Sequence, residues 1–184
     1  MKIATLKSTL KRKLQVTQSA RLSSTPYTIV TDGCAVLWCI HWPANGTVQD
    51  FVNSWWRFVL LHLSSCDVYL IFDRYHPYSI KSGTRTGRAS SCNKVCHKLI
   101  TLTPLPAKQI ILTNFENKVQ LIDLICEDFR CRENDLQEVH HKLIITGSSD
   151  IPVEIHRNNI MDRVDLRTTH EEADVIIPRQ SCRL

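Results

Sequence analysis

Carboxylates stand at three separated points of the chain: Asp32 in YTIVTDGCAVLWC, Asp73 in DVYLIFDRYHPYSIK, and Glu172 with Asp174 in TTHEEADVII. Oxygen ligands of this kind suit Mg²⁺ or Mn²⁺, the ions of phosphodiester chemistry. In a parallel sheet the carboxyl ends of the strands converge on one crevice, which lets acids far apart in sequence meet. Beyond Asp73 the sequence turns basic, with Lys81, Arg85 and Arg88. In a helix, Lys81 and Arg88 would share a face about 10 Å apart along the axis. A cationic fork beside an acid suits a metal next to a phosphate.

Each acid also has an ordinary structural explanation. Asp73 reads equally as a strand-end acid followed by a solvated basic loop. Asp32 interrupts an apolar run, where a buried carboxylate needs a cation, a hydrogen-bond network or a turn. An Asp-Gly bulge that turns the acid to water meets the same need. Thr169-His170-Glu171-Glu172 fits the capping-box pattern, which makes Glu172 the third residue of a last helix. Acids in a first turn also complement the helix dipole without any metal.

The elements that must position these acids follow from the apolar patterning. A β-rich run predicts a strand over 27–39, with Gly33 allowing close backbone approach. Pro43-Ala44-Asn45-Gly46 is a turn, and Val48, Phe51, Val52, Trp55, Val59 and Leu63 recur at helical spacing over 48–63. That periodicity makes Trp55 a core residue and Trp56 a rim residue. The run 67–73 predicts a buried strand, so the order begins β-α-β, the unit of a parallel sheet. The stretch 74–102 is basic and irregular, a partly helical crossing. A third strand is expected over 108–112. Next comes a helix capped by Thr113 with Glu116, bearing Val119, Ile122, Ile125, Cys126 and Phe129 on one face. A fourth strand over 141–146, a turn over 147–150 and a return over 151–156 predict a hairpin. The last helix is expected to begin near Thr168 or Thr169 and to be cut by Pro178.

Composition bounds the function classes. The 184 residues suffice for one domain with a real core, and no apolar run approaches the ~20 residues that span a bilayer. Residues 1–31 hold Lys2, Lys7, Lys11, Arg12, Lys13 and Arg21 and no acid. This arm has three readings: a phosphate-binding tail, a mitochondrial presequence with Ile3, Leu6, Leu10 and Leu14 at helical spacing, or a solvated terminus. No secretory leader is expected, so the eight cysteines predict free thiols in the nucleus or cytoplasm. Cys92, Cys96 and His97 lack the second half of a zinc motif. The Gly-x-Ser-x-Gly elbow, the P-loop and the dinucleotide fingerprint are all missing, which sets aside hydrolase-triad, kinase and dehydrogenase chemistry.

The succession TDGCAVLW, VYLIFDRYHPYSIKSGTR and TTHEEADVII resembles the PIN-like nuclease fold of the flap-endonuclease type. Within it, the closest likeness is to a group of uncharacterised, transposon-associated animal proteins. The resemblance covers roughly residues 27–178, and the order of the motifs carries it more than any one of them. It implies an α/β three-layer sandwich with a mainly parallel sheet plus a β-hairpin, occupying 25–184 behind a basic tail over 1–24. It implies Asp32, Asp73, Glu172 and Asp174 as catalytic, metal-binding residues for Mg²⁺ or Mn²⁺, and Lys81 and Arg88, with Arg85 as auxiliary, as contacts to DNA or RNA. Such enzymes use divalent ions to orient water and stabilise the leaving oxygen.

One departure bears on activity. The family continues into a further strand carrying an Asp-x-Asp pair that completes the metal site, whereas this sequence runs Pro178-Arg179-Gln180-Ser181-Cys182-Arg183-Leu184. The expectation is a C-terminally truncated, nuclease-like domain with weak or absent catalysis. The alternative is a non-catalytic nucleic-acid-binding or interaction protein whose affinity comes from the tail and the Lys81–Arg88 segment. A fragmentary product that folds poorly is the third possibility.

Overall fold

In the computed structural model of the chain, residues 27–74 and 96–180 are described. The polypeptide alternates strands and helices through its first half. β1 is Thr28–Asp32, α1 Gly33–Cys39, α2 Val48–Leu63, β2 Asp67–Ile71, α3 Lys108–Thr113 and α4 Phe115–Arg130. β3 is Leu143–Thr146, β4 Val153–His156, β5 Asn159–Asp162 and α5 Ala173–Gln180. The strands form one sheet in chain order, with β1, β2 and β3 parallel and β3, β4 and β5 antiparallel. The protein is thus α/β with a mixed sheet that is parallel at its start.

The period-2 alternation of the strands divides the core in two. Val68, Leu70 and Phe72 point to one face with Leu143 and Ile145, and there they meet Val52, Trp55, Val59, Leu121 and Ile125 of α2 and α4. Tyr69, Ile71 and Ile144 point to the other face, where Leu166, Ala173 and Ile176 cover them. The path β1 to β2 to β3 always steps the same way across the sheet. Crossovers of one hand then place both helical connections on one face. Among the described residues α5 packs on the other face over β1 and β2, beside Leu166.

The helix of 48–63 forms as its spacing predicts. A reciprocal Thr47–Asp50 capping box starts it, and this hydrogen bonding holds the Asp50 carboxyl below its usual range. The strand at 67–73 and the hairpin after β3 also form, within a residue or two of expectation.

Five expectations are corrected. The strand predicted over 27–39 ends at Asp32, and Gly33–Cys39 is helical, with Cys34 and Leu37 buried three residues apart and Trp38 outside. The predicted third strand is α3, because the short apolar run Ile110-Ile111-Leu112 fits either period and here only Ile111 and Leu112 are buried. α4 is capped by Asn114, whose carboxamide oxygen accepts from Glu116 and Asn117, rather than by Thr113, whose hydroxyl donates to the Gln109 carbonyl. The last helix begins at Ala173, four or five residues later than expected, and runs through Pro178 rather than ending before it. Trp56 is buried rather than at the rim. Its ring packs edge-on to Phe129 and its Nε1–H donates to Asp135.

β5 was not anticipated. Arg157 adopts φ 55° in the two-residue loop that joins it to β4, a left-handed backbone that sequence rules reserve for Gly, Asn or Asp.

Candidate functional site: the carboxyl ends of β1 and β2

Asp32 is the last residue of β1 and stands opposite Ile71 in the parallel register. Residues opposite each other in a parallel pair share a face, so Asp32 belongs to the face of Ile71 and Val30. Asp73 lies two residues beyond Ile71 and takes the same side. On that side its Oδ1 accepts from the Ala173 N–H at 3.0 Å. This single bond joins the second acidic station to the third, because Glu172 and Asp174 flank Ala173. Asp73 therefore caps α5 from another element, which is the role the sequence assigned to Thr169 and Glu172. The Thr169-His170-Glu171-Glu172 capping box does not form: the helix begins after it, and the Glu172 carbonyl accepts from Val175 and Ile176.

Asp32 works in the same manner on its own helix. Its Oδ1 accepts from Ala35 N–H at 3.1 Å, capping α1. The Asp-Gly step is thus a strand-to-helix turn and not a bulge. Gly33 allows the turn to lie on the sheet: a Cβ there would meet the Phe72 ring at 2.5 Å. One residue on, Cys34 Sγ accepts from the Asp73 N–H at 3.4 Å, which ties the α1 start to Asp73. Burial pushes the Cys34 thiol above its ordinary pKa, and the Lys118 ammonium of α4, within hydrogen-bonding reach, opposes the shift. Lys118 is thus a cation beside Cys34, and sequence reading had not singled it out.

Arg74 was also missed, and it holds the site together. Its side chain is 1% exposed. The guanidinium donates to the Asp150 side chain at 3.4 Å, to the Asp150 carbonyl at 3.2 Å and to the Thr168 carbonyl, and its backbone N–H donates to Glu171 O at 2.7 Å. Burial lowers its pKa, and the Asp150 carboxylate opposes that shift. This buried fork binds the loop after β3 to the segment entering α5, and so delivers Ala173 to Asp73. Its partners lie 76 and 94 residues away, and no local pattern announces them.

The structure thus brings Asp32, Asp73, Glu172 and Asp174 to one end of one sheet face. Asp32, Asp73 and Glu172 are half-buried and Asp174 is exposed. Lys81, Arg85 and Arg88, and the basic tail over 1–24, lie outside the described residues. Among the described residues no group of three or more His, Cys, Asp or Glu side chains is placed to hold a metal ion. Two of the four acids spend an oxygen on a helix N-terminus, Asp32 on Ala35 and Asp73 on Ala173. The arrangement does not fit a closed metal cage. A hydrated Mg²⁺ asks for less, since it binds through one or two carboxylates together with substrate phosphate.

A pocket of ≈ 120 Å³ lies at the carboxyl end of β3, lined by Asp123, Cys126, Glu127, Arg130, Ile145, Gly147–Ser149 and Val153. Burial raises the Cys126 thiol to about 12. Its thiol form is therefore favoured in the fold. That contribution is complete below the unfolded thiol's ~8.5 and is lost as pH rises from there towards 12. We expect Cys126 to be alkylated at pH 8 at least ~10-fold more slowly than the exposed Cys39 and Cys131. Peptide mapping after timed iodoacetamide labelling measures this, and equal rates would contradict it.

Among the described residues no helix is long and apolar enough to cross a membrane. Neither a family model, nor a curated protein, nor a solved structure matches the chain.

Proposed function

We propose that this chain is a PIN-like, nuclease-type domain in a three-layer arrangement, and that its site is of the divalent-metal phosphodiesterase kind with weak activity. The observation that carries the reading is the Asp73–Ala173 hydrogen bond, together with the common sheet face of Asp32 and Asp73. These unite acids from Asp32 to Asp174 at the end of parallel strands, as the order of motifs implies. Asp32 and Asp73 would hold a hydrated Mg²⁺ or Mn²⁺ through their remaining oxygens, and such an ion would supply charge for a phosphate. Asp73 also fixes the start of α5, and Lys118 lends positive charge to Cys34, whose sulfur accepts from the Asp73 N–H. Lys81, Arg85 and Arg88 are proposed as the contacts that hold the nucleic-acid backbone.

Mn²⁺ binding, followed by electron paramagnetic resonance on the full chain, tests this reading. Weak binding is expected, reduced at least ~10-fold by Asp73→Asn, with slow Mn²⁺-dependent cleavage of DNA or RNA lost in the same variant. No Mn²⁺ binding and no cleavage would sink it.

The lack of a three-ligand group among the described residues favours a second reading, a non-catalytic nucleic-acid binder. Such a binder should lose most of its salt-dependent affinity when residues 1–24 are removed.

A further inference from the structure

β5 ends the sheet with all four of its residues exposed. Ile160 is 44% and Met161 48% accessible, and Val164 beyond the strand is 62% accessible. An open strand edge is a template for pairing, and proteins usually blunt it with Lys, Pro or a bulge. Asn159-Ile160-Met161-Asp162 carries none of these. Its ladder to β4 is continuous from His156↔Asn159 to Val153↔Asp162.

The hairpin fixes which groups are offered. A two-residue loop closes it on the His156–Asn159 pair, so Asn159 and Met161 direct their N–H and C=O at β4. Ile160 and Asp162 direct theirs outward. The Ile160 side chain stands opposite Ile155 and extends the face of the main core beyond the last covered strand.

We propose that this edge pairs antiparallel with the same edge of a second copy, making a two-fold dimer with a continuous sheet across the axis. The strand is self-complementary in one register. With Ile160 opposite Ile160 of the second copy, the outward amides and carbonyls of the two strands meet, and Asn158 faces Asp162 twice. An amide N–H can then donate to a carboxylate at each end, and the like-charged pair that the register creates, Arg157 against Arg163 of the second copy, lies beyond the strand. Arg163, next in the chain, is already held by Glu154 at 2.5 Å and Asp165 at 2.7 Å, so its charge is neutralised within its own chain. Four residues give an interface well below the ~1,600 Å² of stable complexes, so the dimer is weak and concentration-dependent. The inference is independent of the reading of the acidic site.

Sedimentation velocity of the full chain across a concentration series tests it. The weight-average mass should rise from 21.2 kDa towards twice that value. Ile160→Lys sets two ammonium groups at the axis and should raise the dissociation constant at least ~10-fold while circular dichroism stays native. Hydrogen exchange on the unaltered protein provides a measure that does not depend on the variant folding. The Ile160 and Asp162 amides should gain protection as concentration rises, and those of Asn159 and Met161 should not change. A mass fixed at the monomer value overturns the proposal, as does self-association that survives Ile160→Lys or that leaves the Ile160 and Asp162 amides unprotected.

Discussion

Replacing Arg74 by Met should destabilise the protein by about 3 kcal/mol, seen as a lower urea midpoint at unchanged slope. Met keeps most of the volume but removes every donor. The Thr168 carbonyl then loses its partner inside the fold, while the Asp150 carbonyl keeps the Thr168 N–H, and an unmet buried acceptor costs about 1–3 kcal/mol. The ion pair itself contributes less, because Asp150 is 35% exposed and water screens it. Arg74→Lys should recover only part of the loss, since one ammonium cannot span two carbonyls and a carboxylate as a planar fork does. The change also frees the segment entering α5, so the Ala173 amide, now protected by Asp73, should exchange faster than the amides of α2. Equal urea midpoints for Arg74→Met and the parent would show that the buried fork is not what holds this segment.

Gly33→Val should cost about 3 kcal/mol, by overpacking rather than by cavity. An added Cβ would lie 2.5 and 2.6 Å from two carbons of the Phe72 ring, and Val brings two methyls more. Phe72 cannot step aside: it is fully buried, with the Trp55 ring 5.7 Å away. α1 must lift off the sheet instead, taking Cys34 away from the Asp73 N–H and Asp32 away from Ile71. Thermal unfolding should show the loss of stability, and faster alkylation of Cys34 should show where the strain goes. A variant with parental stability and a still-protected Cys34 would contradict the close packing at Gly33.

Much of this was legible in the residues. Helix α2, strand β2, the hairpin after β3 and the α/β class follow from strong periodicities that one segment carries by itself. Failures fell where a short apolar run fits two periods. Cys34 to Cys39 and Ile110 to Leu112 are apolar enough for strands, and only packing against the sheet selects helix. The start of α5 failed for another reason: its cap comes from Asp73, 100 residues away, so the local Thr169–Glu172 pattern misled.

By itself, the sequence determined that Asp73 would follow a strand, because Val68–Phe72 is an apolar run that is buried and must then stop at a charge. Tertiary structure alone decided that Asp32 and Asp73 share a face, since parallel register and period-2 alternation are properties of two strands together. It also decided that Asp73 caps α5 and that Arg74 closes the loops around it. Those bonds join groups far apart in the chain, and they exist only once the loops have folded back onto the sheet, whereas the Asp32 cap is local to its own turn.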